Sequence, residues 1–186
     1  MLRNDGSDFY ILLTPSGDQY GSWQTPAAGH PLRINLGTGY SYFSSAYGAV
    51  WNDYAEYRRS NILEPGRCVC EVGDDTLVIT DRRLQPGCEI ISDTFGFAIG
   101  ETEECKTPIA SSGRVLAYPW EDREEFRKHI GEPVCSGPDG TVSIMTPEEE
   151  MMYPSRIIGT ISAVPDYEEW GSGNVKVNGR IWIRIR

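Results

Sequence analysis

The chain has 186 residues, room for one sizeable domain or for a smaller domain with an appendix, so two large enzyme domains are excluded. A formal charge of −10 repels phosphate backbones unless the cations gather in one patch, which argues against nucleic acid as a partner. With 39% hydrophobic and 24% charged residues, and no apolar run near the roughly 20 residues that cross a bilayer, the composition predicts a globular protein without membrane insertion.

Met1-Leu2-Arg3-Asn4-Asp5-Gly6 lacks the apolar stretch and small-residue cleavage site of an export signal. The five cysteines, Cys68, Cys70, Cys88, Cys105 and Cys135, are odd in number and lack a C-x-x-C spacing, and only His30 and His129 offer nitrogen ligands. Free thiols in a protein assembled in cytoplasm are expected, with no metal and no cofactor. Twenty glycines and twelve prolines punctuate short β-branched and aromatic runs, so the predicted fold class is mainly β.

Residues 1–46 carry Phe9-Tyr10-Ile11-Leu12-Leu13-Thr14, a Gly17-Asp18 turn, Leu32-Arg33-Ile34-Asn35-Leu36 and Gly37-Thr38-Gly39, with little apolar material between them. The reading is a short elongated β stem without a core of its own, stable only when paired with its own copies or with the following domain.

Residues 47–186 are expected to form a compact β-rich domain. Near its start, Ala49-Val50-Trp51-Asn52-Asp53-Tyr54-Ala55-Glu56-Tyr57-Arg58-Arg59 holds two carboxylates three residues apart. On a helical turn Asp53 and Glu56 share a face, close enough to perturb each other's pKa, and paired carboxylates suit acid–base work on a peptide bond. The same spacing also fits a helix capping box led by Asp53, or a Glu56–Arg59 ion pair.

One strand-turn unit is written twice. Pro65-Gly66-Arg67-Cys68-Val69-Cys70, Asp74-Asp75-Thr76-Leu77-Val78-Ile79 and Phe95-Gly96-Phe97-Ala98-Ile99-Gly100 form the first copy; Ile130-Gly131-Glu132-Pro133-Val134-Cys135, Asp139-Gly140-Thr141-Val142-Ser143-Ile144 and Ile157-Ile158-Gly159-Thr160-Ile161 form the second. An internal two-fold repeat follows from that pattern. Two short helices are predicted, at residues 121–128 and after Thr146, where Thr146-Pro147-Glu148-Glu149 supplies an N-cap, a first-turn proline and a capping-box glutamate. At the end, Asn178-Gly179 between alternating runs predicts a hairpin with Ile181, Ile183 and Ile185 on a buried face. Arg180, Trp182, Arg184 and Arg186 on the other face either dock on an acidic neighbour or solvate a strand edge, and the second reading is favoured.

Asp53-Tyr54-Ala55-Glu56 at the head of a β-rich segment, followed by Ser92-Asp93-Thr94-Phe95-Gly96-Phe97-Ala98-Ile99-Gly100-Glu101 and Arg156-Ile157-Ile158-Gly159-Thr160-Ile161-Ser162, resembles the self-cleaving intramolecular chaperone domain of phage neck appendages and tailspikes. The resemblance spans residues 47–186. It implies a domain that trimerises, helps the preceding fibre to fold in register, and is released by an autoproteolytic cut just before the motif aspartate. The family is classed with glutamic peptidases, so the resemblance implies Glu56 as acid–base residue and Asp53 as its partner, with the cut at Asn52-Asp53. Glu56 would activate a water or a neighbouring side chain against the Asn52 carbonyl while Asp53 protonates the leaving amide, without a metal. Asn52 departs from the pattern, since a small residue such as serine is expected before the aspartate. Asparagine can attack a backbone carbonyl itself and break the same bond through a succinimide.

Ser111-Ser112-Gly113 and His129 lack a third residue placed by sequence to complete a triad, Gly171-Ser172-Gly173-Asn174 precedes a strand and reads as a turn, and Cys68 and Cys70 read as small buried residues on one side of a strand. The expectation is a C-terminal domain of a bacteriophage tail fibre or tailspike, assembled in the host cytoplasm and carried on the virion tail. Its partners are its own copies, as a homotrimer, and the upstream fibre stem. The rivals are a permanent tip whose Trp120, Tyr167 and Trp170 contact a host surface glycan, and an inert structural cap.

Overall fold

The computed structural model describes residues 2–11, 32–38, 41–43, 52–62, 64–73, 76–171 and 175–185. The chain divides into two units, Met1–Ala49 and Val50–Arg186, a boundary a few residues after the one expected from composition.

The first unit is an antiparallel meander of β1 (Leu2–Asn4), β2 (Asp8–Ile11), β3 (Leu32–Asn35) and β4 (Ser41–Phe43), in that spatial order. Asp5 shapes the first turn, because its Oδ1 accepts the backbone N–H groups of Ser7 at 3.0 Å and Asp8 at 2.9 Å while Gly6 takes a positive φ. Tyr10 is the one large apolar side chain buried in this unit among the described residues. The expected Gly17-Asp18 turn lies outside the described residues.

The second unit contains β5 (Asp53–Arg59), β6 (Cys68–Glu71), β7 (Leu77–Ile79), β8 (Cys88–Ile90), β9 (Phe95–Ile99), β10 (Cys105–Ala117), α1 (Arg123–Lys128), β11 (Pro133–Ser136), β12 (Val142–Ile144), α2 (Pro147–Met152), β13 (Gly159–Ala163), β14 (Glu169–Trp170), β15 (Val175–Lys176) and β16 (Ile181–Ile185). A seven-stranded sheet runs β12-β11-β13-β16-β10-β5-β9, with a three-stranded sheet β7-β6-β8 and a two-stranded ribbon β14-β15. The unit is mainly β with two short helices, as the composition predicts. In the large sheet β5 and β9 are parallel, and the other pairs are antiparallel.

Consecutive residues bury themselves in the central strands: Val115, Leu116 and Ala117 on β10, and Ile181, Trp182 and Ile183 on β16. Both faces of these strands are covered, since a strand exposed on one side would alternate. One core joins Val115, Phe126, Val134, Ile161, Ile181 and Ile183, and a second gathers Leu116, Val175, Val177 and Trp182. Each such large side chain contributes about 1.5–3 kcal/mol by burial.

Both helices fall where the sequence places them, α2 at its capping signal. Asp122 caps α1 by accepting the Glu124 N–H at 2.8 Å. Thr146 and Glu149 close a reciprocal box at α2, with Glu149 N–H to Thr146 Oγ1 at 3.2 Å and Thr146 N–H to Glu149 Oε2 at 2.8 Å. Arg83 reaches across to Glu149 as well, and this guanidinium first, with the Thr146 contacts, holds the Glu149 carboxyl down at about 2.

The written-twice unit appears as two hairpins, β6–β7 and β11–β12, each preceded by a glycine of positive φ, Gly66 and Gly131. Their third members diverge. Strand β9 joins β5 in parallel at the edge of the large sheet, whereas β13 pairs antiparallel with β11.

The chain end differs from the hairpin reading. Asn178 and Gly179 do turn, with φ of 50° and 77° and Arg180 N–H donating to Val177 O at 2.9 Å. The arms then part: β15 pairs with β14, and β16 runs between β10 and β13 in the middle of the large sheet. The apolar triplet Ile181-Trp182-Ile183 demands cover on both faces, which a two-stranded hairpin cannot supply. Arg180 is buried, so the solvated-edge reading of the arginine face is corrected as well.

Candidate functional site

Asp53 and Glu56 lie on β5, an extended strand, and this overturns both the helical-turn and the capping-box readings of the motif. Side chains alternate along a strand, so residues three apart point to opposite faces, with Cα atoms about 10 Å apart. Burial follows that rule: Asp53 and Ala55 are buried, Tyr54 and Glu56 exposed. The two carboxylates are not brought together within one chain.

Glu56 belongs instead to a charged cluster on its own face. Arg58 binds Glu71 at 2.7 Å and Glu89 at 3.5 Å. Burial raises the Glu89 pKa, Arg58 lowers it, and the charges of Glu71 and Glu56 raise it again. Arg59 pairs with Glu104. Glu56 also lines an open hollow of about 370 Å³ with Tyr57, Arg58, Arg59, Gly100 and Cys105.

Asp53 occupies a different setting, only 2% exposed. Its Oδ1 accepts a hydrogen bond from Thr94 Oγ1 at 2.7 Å, and Ser92 Oγ lies 3.3 Å from that same hydroxyl. Its Oδ2 is buried without a hydrogen-bond partner among the described residues. Burial pushes the Asp53 carboxyl up to about 6, against the Thr94 and Ser92 hydroxyls, and the charge of Asp93 adds to the rise.

The peptide bond just before Asp53 is tightly seated. Asn52 donates its backbone N–H to Thr94 O at 3.2 Å, and its carbonyl accepts the Arg114 N–H at 2.8 Å. The Asn52 side-chain oxygen takes Arg114 Nη2 at 3.1 Å, while its Nδ2 is buried and unpartnered among the described residues. Gly113, at φ +108°, faces this bond so closely that a Cβ there would overlap the Asn52 carbonyl and come 2.7 Å from Asp53 Cα.

Behind the segment that holds Thr94, Arg180 grips Asp93 through two contacts, Nη1–Oδ1 and Nη2–Oδ2, both 2.9 Å. The arrangement thus places a carboxyl pushed up to about 6 by burial at the amide whose carbonyl is already polarised by one N–H. Such a group can protonate a departing amide nitrogen. Sequence reading singled out Asn52, Asp53 and Glu56 but not Ser92, Thr94, Gly113 and Arg114, which surround the Asn52-Asp53 bond, or Arg180 behind them. Ser92-Asp93-Thr94 stood inside a recognisable block, yet nothing linear connects it to Asp53.

The other candidates have ordinary surroundings. Ser111 donates to Tyr54 O at 3.2 Å, and His129 ends α1 between Glu132 at 2.7 Å and Glu125 at 3.2 Å. Trp120 and Tyr167 are exposed, whereas Trp170 packs edge-on against Trp182. Residues 172–174 lie outside the described residues. Among the described residues no group of three or more His, Cys, Asp or Glu is arranged to hold a metal ion, and no helix is long and apolar enough to cross a membrane.

No protein family, no curated protein and no solved structure matches the chain.

Proposed function

We propose that the chain is the C-terminal part of a bacteriophage tail fibre or tailspike, in which residues 50–186 align three copies of the preceding stem and then release themselves by cutting Asn52-Asp53. The observation that carries this reading is the buried Asp53 carboxyl, with one oxygen unpartnered, set against a peptide bond in the first strand of the second unit. A buried carboxylate costs stability unless something offsets it, and activity is a recurrent reason for keeping one. The small apolar content of residues 1–46 supports the assembly role, because aligning three chains at one end raises their effective concentration for pairing along the stem.

In this reading a water attacks the Asn52 carbonyl carbon and gives up its proton to a Glu56. Asp53, held by Thr94, gives its proton to its own amide nitrogen as the C–N bond breaks, leaving a new carboxyl on Asn52 and a free amine on Asp53. The Arg114 N–H stabilises negative charge on the Asn52 oxygen. Glu56 faces away from the bond of its own chain, so its acid–base role is exerted on the bond of a neighbouring copy in the trimer. The resemblance of Asp53-Tyr54-Ala55-Glu56 to the self-cleaving chaperone motif supports the same bond and the same two carboxylates.

Exposed Trp120 and Tyr167 favour the second reading, a permanent tip that binds a host surface glycan. Incubating the purified protein and measuring its mass separates the two. Fragments ending at Asn52 and beginning at Asp53 are expected, and an intact mass after days at pH 5 to 7 overturns the self-cleavage.

A further inference from the structure

Three cysteines that are scattered in sequence meet in the small sheet. Strand β6 pairs antiparallel with β8 in the register Cys68↔Ile90, Val69↔Glu89 and Cys70↔Cys88. The flanking bonds, Glu71 N–H to Gly87 O at 3.3 Å and Ile91 N–H to Arg67 O at 3.0 Å, fix which pairs exchange backbone hydrogen bonds. By alternation Cys70 and Cys88 form a pair without backbone bonds, where the Cα atoms approach to about 4.5 Å and the side chains lie closest. That spacing is within the range of about 4.4–6.8 Å that a disulfide spans. The diagonal pair, Cys68 and Cys88, sits at the about 7–8 Å typical of diagonal neighbours, too far for a bridge without backbone movement.

Access is unequal. Cys68 and Cys70 are buried, while Cys88 is partly exposed and lines a cavity of about 280 Å³ with Glu89, Ala110, Ser111, Ile157 and Ile158. Gln85 links the two facing sulfurs: its Nε2 donates to Cys70 Sγ at 2.7 Å, and its carbonyl accepts from Cys88 Sγ at 3.1 Å.

We propose that Cys88 is a thiol-exchange site, which takes up a small-molecule disulfide through this cavity and passes the oxidation to Cys70, closing a cross-strand Cys70–Cys88 bridge. The Cys88 thiolate attacks one sulfur of the reagent, forming a mixed disulfide and expelling one thiolate, which takes a proton. The Cys70 thiol then loses its proton and attacks Cys88 Sγ, expelling the second thiolate. Two protein thiols are oxidised to one disulfide, and one reagent disulfide is reduced to two thiols. Cys68 has a separate part: its hydrogen bond to the Cys88 sulfur lowers the Cys88 pKa, burial opposes this, and Ser136 and Arg156 assist, whereas burial raises Cys68 itself. This chemistry does not depend on the proposed assembly role.

The test uses the full chain and the uncharged reagent hydroxyethyl disulfide, read by intact mass and peptide mapping. Wild type is expected to lose two hydrogens and to yield a peptide pair joined through Cys70 and Cys88. Cys70→Ser is expected to stop at a hydroxyethyl adduct on Cys88, and Cys88→Ser to leave Cys68 and Cys70 reduced. The unmutated protein gives an independent reading through iodoacetamide, which must label Cys88 faster than Cys105, also partly exposed. A bridge between Cys68 and Cys88, labelling of Cys105 before Cys88, or Cys70 and Cys88 both still reduced after Cys105 has been modified overturns the proposal.

Discussion

Arg180 holds Asp93 by two parallel contacts of 2.9 Å, and the residues on either side of Asp93 are Ser92 and Thr94, whose hydroxyls meet over Asp53. The end of the chain is thereby tied to the first strand of the second unit. Arg180 also donates to the carbonyls of Val177 and Lys176, and its guanidinium lies 6.0 Å from the Tyr118 ring centre.

Arg180→Ala is therefore expected to cost about 2–4 kcal/mol, because it takes the guanidinium from Asp93 and from the Lys176 carbonyl in a mostly buried setting, while the Val177 carbonyl keeps its backbone donor. Denaturant unfolding measures the loss. Asp93→Asn keeps part of the hydrogen bonding and should cost less.

Gly113→Ala tests the close seating of the Asn52-Asp53 bond. The new methyl overlaps the Asn52 carbonyl and forces an L residue to φ +108°, so about 3 kcal/mol or more of stability is expected to go. Gly131→Ala is the control: φ is +93° but nothing lies within 4 Å of the added Cβ, so only the conformational strain of about 1 kcal/mol applies.

The Asp53 carboxyl is raised by burial from an ordinary 3.8 to about 6, so the folded state holds its proton over a range where the unfolded chain has lost it. Stability therefore falls as pH climbs from about 4 through 6, by about 2–3 kcal/mol in total. Asp53→Asn removes that slope, and unfolding curves of both proteins across this range measure it. If Asp53 is the proton donor in cleavage, the cutting rate falls as pH rises through about 6.

Because Glu56 and Asp53 face opposite sides of β5, cleavage between copies predicts complementation. Glu56→Ala alone is expected to remain uncut, and so is Asp53→Asn alone. Unfolded together and co-assembled, the two variants should regain a cut in the chain that retains Asp53. Mass spectrometry of the mixture checks this, and restored fragments from the chain that retains only Glu56 contradict the assignment.

The mainly β class and both helices were legible because capping residues, turn residues and apolar spacing act locally. The pairing of β16 was not. Asn178-Gly179 does make its turn, and only the unbroken Ile181-Trp182-Ile183 hinted that the strand beyond it needs two neighbours rather than one. At the site, Asp53 and Glu56 were visible as residues, but their three-residue spacing means one face on a helix and two faces on a strand. The contact that sets the Asp53 pKa comes from Thr94, 41 positions away through a parallel strand pair, and no local pattern encodes such a pairing.

The assembly role rests on three copies standing side by side, and a light-scattering mass of the freshly purified protein tests that most directly. The account predicts a particle of three chains that persists on dilution. A stable, fully folded monomer would contradict it.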